Sequence, residues 1–481
     1  MDLLQLDGVG QLQALQSGQV SARELLEAAV GRADSLSAAL NAVVSRDLER
    51  ARSEAPMIDD RRARGEAVGR LAGLPMTIKD TIDVEGLPAS AGLAALLNRT
   101  ADDAVVVRQV RAEGGVVWGK TNTPVNAADW QTYNSLYGTT NNPWDPTRTP
   151  GGSSGGSAVA VATGITAIEI GADIGGSLRI PASFTGVFAH KPTYGLVSQR
   201  GLVPPPGFAA DLDLAVVGPM ARSARDLRFL LDVIAGTPVA PSTTPTDLKG
   251  LMVGLWLDEP TFPLDGNVRA AVEAFAGRLA ASGAVVEAIP CPVDAVELMF
   301  TYMMLLLPLT HGQGPLAERA LYETLRGPAL LARAMGAGPL SWAQGILGAT
   351  ARHGDWLKAD EARARMARQV ATAFDRHDVI VAPVAPITAF PHDHSPFVQR
   401  KLSCSDGRRI GYLEMMRWVA LATVFGLPAT AVPIGLSAQG LPVGIQIIGP
   451  SGQDARTLAV AEAIDGRIGG FQAPPRAVSR K

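Results

Sequence analysis

The stretch that decides the fold begins Gly151-Gly152-Ser153-Ser154-Gly155-Gly156-Ser157-Ala158 and ends Gly171-Ala172-Asp173-Ile174-Gly175-Gly176-Ser177-Leu178-Arg179-Ile180-Pro181-Ala182. Between the two lie a helix-like run over 157–163 and a strand-like run over 165–170. From Gly138 to Gly186 the chain is dense in Gly, Ser, Thr and Pro. Glycine at that density between regular elements means backbone packed close to a ligand or to other backbone. Working outward, residues 71–78 form a short apolar run that stops at Lys79 and reads as a buried strand. A helix over 102–113 is stopped by Gly114-Gly115, and 116–118 is a short strand. Downstream come a helix at 227–234, a strand at 251–256, a helix at 268–282 and a strand at 285–289. Strands return at 379–384, 429–434 and 443–448, and a helix closes the chain at 454–464. This alternation predicts an α/β fold, a sheet covered by helices.

Two regions depart from the alternation. Residues 1–65 read as helices, with Ser21-Ala22-Arg23-Glu24 in capping-box form. Residues from about 293 to 365 are helical in pattern, poor in strand signal and apolar around Met299, Phe300, Tyr302, Met303 and Met304. That block is either a buried helix or the wall of an apolar pocket, where flexible Met side chains adapt to shape. Strand signals flank it, and neither a repeat nor a linker is visible. The expectation is one domain over 1–481: N-terminal helices, a core over 66–290 and 365–470, and a helical cap inserted between.

Composition narrows the function. Of 481 residues, 47% are hydrophobic and 19% charged, below the ~25% charged of typical domains. That excludes a disordered chain. The net charge of −3 gives no basic excess to mark a nucleic-acid partner. Cys291 and Cys404 are too few for a disulfide framework. The N-terminus lacks a signal-peptide pattern. The run over 298–309 is broken by Thr301 and Pro308 and falls short of the ~20 residues of a membrane span. A cytoplasmic protein with no membrane span is expected.

Three motifs match a pattern without its context. Gly114 to Thr121 fits G-x-x-x-x-G-K-[ST], but its middle is Val116-Val117-Trp118 and a turn, Asn122-Thr123-Pro124, follows where a phosphate loop opens a helix. Gly151-Gly152-Ser153-Ser154-Gly155 fits G-x-S-x-G, yet no strand precedes it to build a nucleophile elbow. His392-Asp393-His394 lacks any helical ligand spacing and reads as a solvated loop. No metal site and no cofactor are expected.

What remains is Lys79 at a strand end and two Gly-flanked serine segments. Desolvation lowers a lysine pKa, and a neutral amine can act as a base. The serines offer a nucleophile and a relay, and Gly175-Gly176 can turn successive N–H groups toward one oxyanion. Alone, each piece also reads as a surface lysine, a serine-rich loop or a tight turn.

Together these segments resemble the amidase signature family, whose hallmark is a Ser–cis-Ser–Lys triad. Gly119-Lys120-Thr121-Asn122-Thr123-Pro124, Asn141-Asn142-Pro143-Trp144, Lys191-Pro192-Thr193-Tyr194-Gly195-Leu196-Val197-Ser198, Gly426-Leu427-Pro428-Ala429 and Gly440-Leu441-Pro442-Val443-Gly444 are similar to family segments as well. The resemblance runs from about residue 20 to 465 and fades in the cap. It implies the family fold, a large mixed twisted sheet with helices on both faces and a helical cap insertion. It implies Ser177 as nucleophile, Ser153 as the bridging serine after a cis bond, and Lys79 as base. Ile174, Gly175 and Gly176, with Ser177, become the oxyanion hole, and Ser154 and Gly152 are supporting residues of the site, Ser154 through a hydrogen bond. Ala172, Val125 and His190 stand where many members have Thr, Glu and Leu. The implied reaction is acyl transfer without cofactor, and activity should survive a chelator.

Two functions follow from the resemblance. With Met299, Phe300 and Met303 taken as pocket lining, the expected substrate is a neutral hydrophobic aryl or alkyl amide, or a carbamate in a urethanase or esterase side reaction. The alternative is the glutamine-hydrolysing A subunit of a glutamyl-tRNA amidotransferase. The family's habit of pairing N-terminal helices leaves room for a homodimer.

Overall fold

The computed structural model describes residues 2–203, 210–238, 247–311 and 315–475. Among them, eleven strands form one mixed sheet, and fourteen α-helices are present. Across the sheet the order is Val43–Arg46, Val116–Thr121, Pro75–Lys79, Ile168–Asp173, Val216–Ala221, Phe188–Lys191, Ala429–Leu436, Pro442–Ile448, Val379–Pro383, Met252–Leu255, Val285–Ala288. Val116–Thr121, Pro75–Lys79 and Ile168–Asp173 run parallel. So do Val379–Pro383, Met252–Leu255 and Val285–Ala288 at the other side. The strands between pair antiparallel.

The inner strands are buried residue after residue, Pro75–Lys79, Val116–Thr121 and Ile168–Asp173 throughout. Successive side chains point to opposite faces, so burial at every position means both faces are covered. The edge strand Val285–Ala288, by contrast, is exposed or half-buried along its length. The helix Gly155–Ala162 is buried at all eight residues. Its Gly, Ala and Ser side chains let it lie close under the neighbouring backbone.

The N-terminal region is not all helix. Val43–Arg46 is a strand, paired antiparallel with Val116–Thr121. Four residues between two helices are too few to show a period of two. Phe188–Lys191 and Val216–Ala221 are also not legible as strands. Phe188–Lys191 carries His190 and Lys191, which look like surface residues until their partners arrive from far along the chain. His190 Nδ1 lies 2.9 Å from Thr430 Oγ1 and Nε2 lies 3.0 Å from Asp454 Oδ1. Lys191 Nζ donates to Leu427 O at 2.8 Å. The capping box at Ser21 forms, with Glu24 N donating to Ser21 Oγ and Ser21 N to Glu24 Oε2.

The helices Ala295–His311, Leu316–Ala334, Trp342–Ala349 and His353–Ala373 follow one another between the strands Val285–Ala288 and Val379–Pro383. No helix among the described residues is long and apolar enough to cross a membrane.

Candidate active site

Lys79, Thr121 and Asp173 end three adjacent parallel strands. The carboxyl ends of parallel strands open onto the crevice where α/β proteins bind ligands. Lys79 is fully buried, and its Nζ lies 2.7 Å from Ser153 Oγ. Burial pulls the Lys79 pKa down to about 7 against the opposing field of Asp173. Near neutral pH a large fraction of this amine is therefore unprotonated and can accept the Ser153 proton.

Ser153 is held by its backbone. The Gly152–Ser153 peptide bond is cis. Thr123 Oγ1 donates to Ser153 O at 3.0 Å. A Cβ at Gly152 would stand 2.5 Å from Asp129 O, so only glycine fits there. Ser154 N donates to Ser177 O at 3.2 Å and Ser154 Oγ donates to Ala172 O at 3.3 Å. These bonds lock the turn of Ser153 onto the turn of Ser177. Among the described residues no hydrogen bond joins the Ser153 and Ser177 hydroxyls, so the first link of a Lys79–Ser153–Ser177 relay is closed and the second is open. Links of this kind commonly tighten when substrate binds.

The turn after Asp173 carries a run of backbone N–H groups. Asp173 Oδ1 accepts from Gly176 N at 2.8 Å and Oδ2 from Leu178 N at 3.1 Å. Gly176 has φ +90°, in the region that favours glycine. Its N–H is spent on Asp173, which corrects the expectation that it serves an oxyanion. The N–H groups of Ile174, Gly175 and Ser177 donate to no acceptor among the described residues. Three donors therefore stay free on one turn.

Asp173 is the residue whose importance the motif alone did not reveal. Arg179 reaches it through Nε and Nη2, both at 3.1 Å. Arg179 also donates to Gln446 Oε1 and Thr423 Oγ1, each at 2.8 Å. Both members of the pair are fully buried. Burial pushes the Asp173 carboxyl up, but Arg179, together with Lys191 and the Leu178 N–H, outweighs it and holds the pKa below the usual carboxylate value. The readable signal was an acid and a base six residues apart on either side of Ser177. Two more residues touch the turn from outside it. Trp130 Nε1 donates to Gly175 O at 2.9 Å, and Tyr302 OH donates to Ile174 O at 2.6 Å.

Of the three side chains expected to line an apolar pocket, two lie in the hydrophobic core and the third lines a surface groove. Met299 and Met303 are buried in the main hydrophobic core. Phe300 turns outward, its ring 3.5 Å under the Arg333 guanidinium, in an open groove with Thr301, Met304 and Lys358 that contains none of Lys79, Ser153 and Ser177. An α-helix turns 100° per residue, so neighbours in sequence cannot share one wall. Ala172 is a buried strand residue opposite Val217, and His190 belongs to a buried polar tie between strands.

A mixed sheet with a buried lysine at a strand end, and serines on glycine-dense turns beside it, is the frame of a hydrolase of carbon–nitrogen bonds. Residues 24–458 match the amidase family, and the chain belongs to it, the amidase signature enzymes. It is 36% identical to the A subunit of glutamyl-tRNA(Gln) amidotransferase from Synechococcus sp. (strain CC9605), over 97% of each chain. A crystal structure of an amidase superposes with a TM-score of 0.78 at 31% identity, covering 96% of this chain and 100% of that one. The structure of 6-aminohexanoate cyclic dimer hydrolase complexed with substrate gives 0.77 at 27%, covering 100% of both. Further relatives, down to 32% identity over 98% of this chain, carry the same amidotransferase name as the first. These relatives overturn the expectation of a neutral hydrophobic amide as substrate.

Proposed function

We propose that this chain hydrolyses the side-chain amide of glutamine and works as the A subunit of a glutamyl-tRNA amidotransferase. The observation that carries the reading is the end-to-end match to a protein of that name, 97% of each chain at 36% identity. Neutral Lys79 accepts a proton from Ser153, which accepts one from Ser177 as Ser177 Oγ attacks the amide carbonyl. The N–H groups of Ile174, Gly175 and Ser177 hold the developing oxyanion; one such donor is typically worth about 10²–10³ in rate. The relay returns the proton to the leaving nitrogen, and ammonia departs from a glutamyl ester of Ser177. Water then attacks that ester and releases glutamate. Each turnover consumes one glutamine and one water.

The charges of the motifs are already engaged, Asp173 with Arg179 and Lys79 as the neutral base. Glutamine's ammonium and carboxylate are therefore met by groups outside these motifs. Esters and carbamates present the same carbonyl to Ser177, so esterase and urethanase activity belongs to this site at lower kcat/KM. In this reading the chain acts in the cytoplasm beside partner protein subunits. With a net charge of −3 it leaves the tRNA to those subunits.

The test compares ammonia release from glutamine with cleavage of a 4-nitroanilide and an aryl carbamate by the purified chain, alone and co-purified with candidate partner subunits. Glutamine is expected to give the highest kcat/KM, rising further in the complex. An anilide or carbamate ahead of glutamine under both conditions would end the amidotransferase reading.

A further inference from the structure

The turn over residues 173–177 contains two peptide units fixed in different ways. A peptide bond is planar and nearly always trans, so its C=O and N–H point in opposite directions. Fixing the oxygen therefore fixes the direction of the hydrogen. In the Gly175–Gly176 unit both ends are held: Trp130 Nε1 donates to the oxygen at 2.9 Å, and the Gly176 N–H donates to Asp173 Oδ1 at 2.8 Å. In the Ile174–Gly175 unit only the oxygen is held, by Tyr302 OH at 2.6 Å. Its N–H, on Gly175, is left without an acceptor among the described residues. One unit is a strut, and the other is a donor aimed by a single phenol.

We infer that Tyr302 is a positioning residue for the oxyanion site, its hydroxyl holding the Ile174–Gly175 peptide so that the Gly175 N–H faces the carbonyl attacked at Ser177. The inference rests on Ser177 being the nucleophile but not on glutamine being the substrate. Tyr302 comes from the helix Ala295–His311, where the family resemblance fades. Leu298, Met299, Leu305 and Leu306, one turn to either side of it, are all buried. They fix the ring and leave the hydroxyl little freedom. A buried phenol needs a partner; its proton goes to the Ile174 carbonyl, and the Thr423 hydroxyl is a second neighbour. Burial, with Asp173 nearby, raises the phenol pKa, so the group stays a donor near neutral pH. The helical insert thereby contributes to catalysis without touching the reacting atoms.

The experiment measures the rate at which a fluorophosphonate labels Ser177 in wild type, Tyr302→Phe and Leu305→Val. Phosphonylation draws on the oxyanion donors whatever the natural substrate. Tyr302→Phe should label about 10- to 100-fold more slowly, short of the 10²–10³ for losing a donor outright. Its KM for whichever substrate is turned over should stay within about threefold, because an interaction made mainly in the transition state moves kcat. Leu305→Val, a packing change on the same helix, should lower Tm and leave the labelling rate within about twofold. If Tyr302→Phe does not fold, Tyr302→Met carries the same comparison. Labelling at the wild-type rate in a folded Tyr302 variant overturns the inference. So does a slowing that Leu305→Val reproduces at equal loss of Tm. Absence of labelling at Ser177 in wild type would instead remove the nucleophile assignment.

Discussion

The sheet and the helical insert place their polar and apolar atoms in opposite ways. Around the parallel strands, Lys79, Lys120, Glu169, Asp173, Arg179 and Lys191 are all fully or almost fully buried, and each has a specific partner. In the insert, beyond its first helix, several apolar side chains face outward instead, Leu316 at 80%, Leu331 at 64% and Met335 at 79% exposure. Charge taken out of water is expensive unless it is paired, and that cost is what moves a pKa into the working range. Burial brings Lys79 and Lys191 to about 7 and Lys120 to about 8. Lys191 and Lys120 spend their protons on backbone carbonyls, and Lys79 alone faces a serine hydroxyl. Lys79 is thus distinguished from the other two by its neighbour and not by its burial. The insert, for its part, touches the turn before Ser177 with the Tyr302 hydroxyl.

The contrast is broken most directly at its centre. Ser177→Ala should lower turnover by about 10⁴- to 10⁶-fold, the range seen when a serine nucleophile is removed, with no fluorophosphonate label at position 177. Labelling that moves to Ser153 or Ser154 would shift the nucleophile to the other turn.

Lys79 comes next, with loss of a general base costing about 10²- to 10⁴-fold. In wild type kcat/KM should rise with pH through about 7, as the Lys79 ammonium gives up its proton. In Lys79→Met that inflection should vanish and part of the activity return at high pH. Stability should depend on pH as well. Between about 7 and 10.5 the unfolded chain holds the Lys79 proton and the native chain does not, so wild-type stability rises with pH there. Lys79→Met loses this dependence, and its Tm advantage over wild type should be widest at and below pH 7 and shrink toward 10.5. A Tm gap that does not change with pH would mean Lys79 is not desolvated.

Met303→Ala tests the boundary between the two regions. As a core residue its loss should cost about 2–5 kcal/mol of stability, read by denaturant unfolding, with KM nearly unchanged. A large rise in KM at unchanged stability would restore it to the substrate pocket. The smallest effect belongs to the outer face of the insert. Met335→Glu should shift stability by no more than about 0.5 kcal/mol and leave the activity of the isolated chain as it is.

The sequence by itself determined the α/β alternation, the three chemical segments and the position of the helical insert. Their signals are local: apolar runs, glycine-dense turns, and a lysine at the end of a strand. It named Ser153, Ser177 and Lys79, which the fold brings to neighbouring strand ends and turns. It did not determine the strands Val43–Arg46, Phe188–Lys191 and Val216–Ala221, the first too short for a period and the second masked by polar residues whose partners lie 236 to 264 positions away. Only the tertiary structure decided which N–H groups stay free. Gly176 looked equal to Gly175 until the Asp173 carboxylate took its hydrogen, and Trp130 and Tyr302, 45 and 128 residues from the carbonyls they hold, carried no local mark of that role. The direction a helical side chain faces was likewise out of reach for Met299, Phe300 and Met303. A run of consecutive apolar residues is compatible with any rotation of the helix, and packing against the rest of the chain selects one.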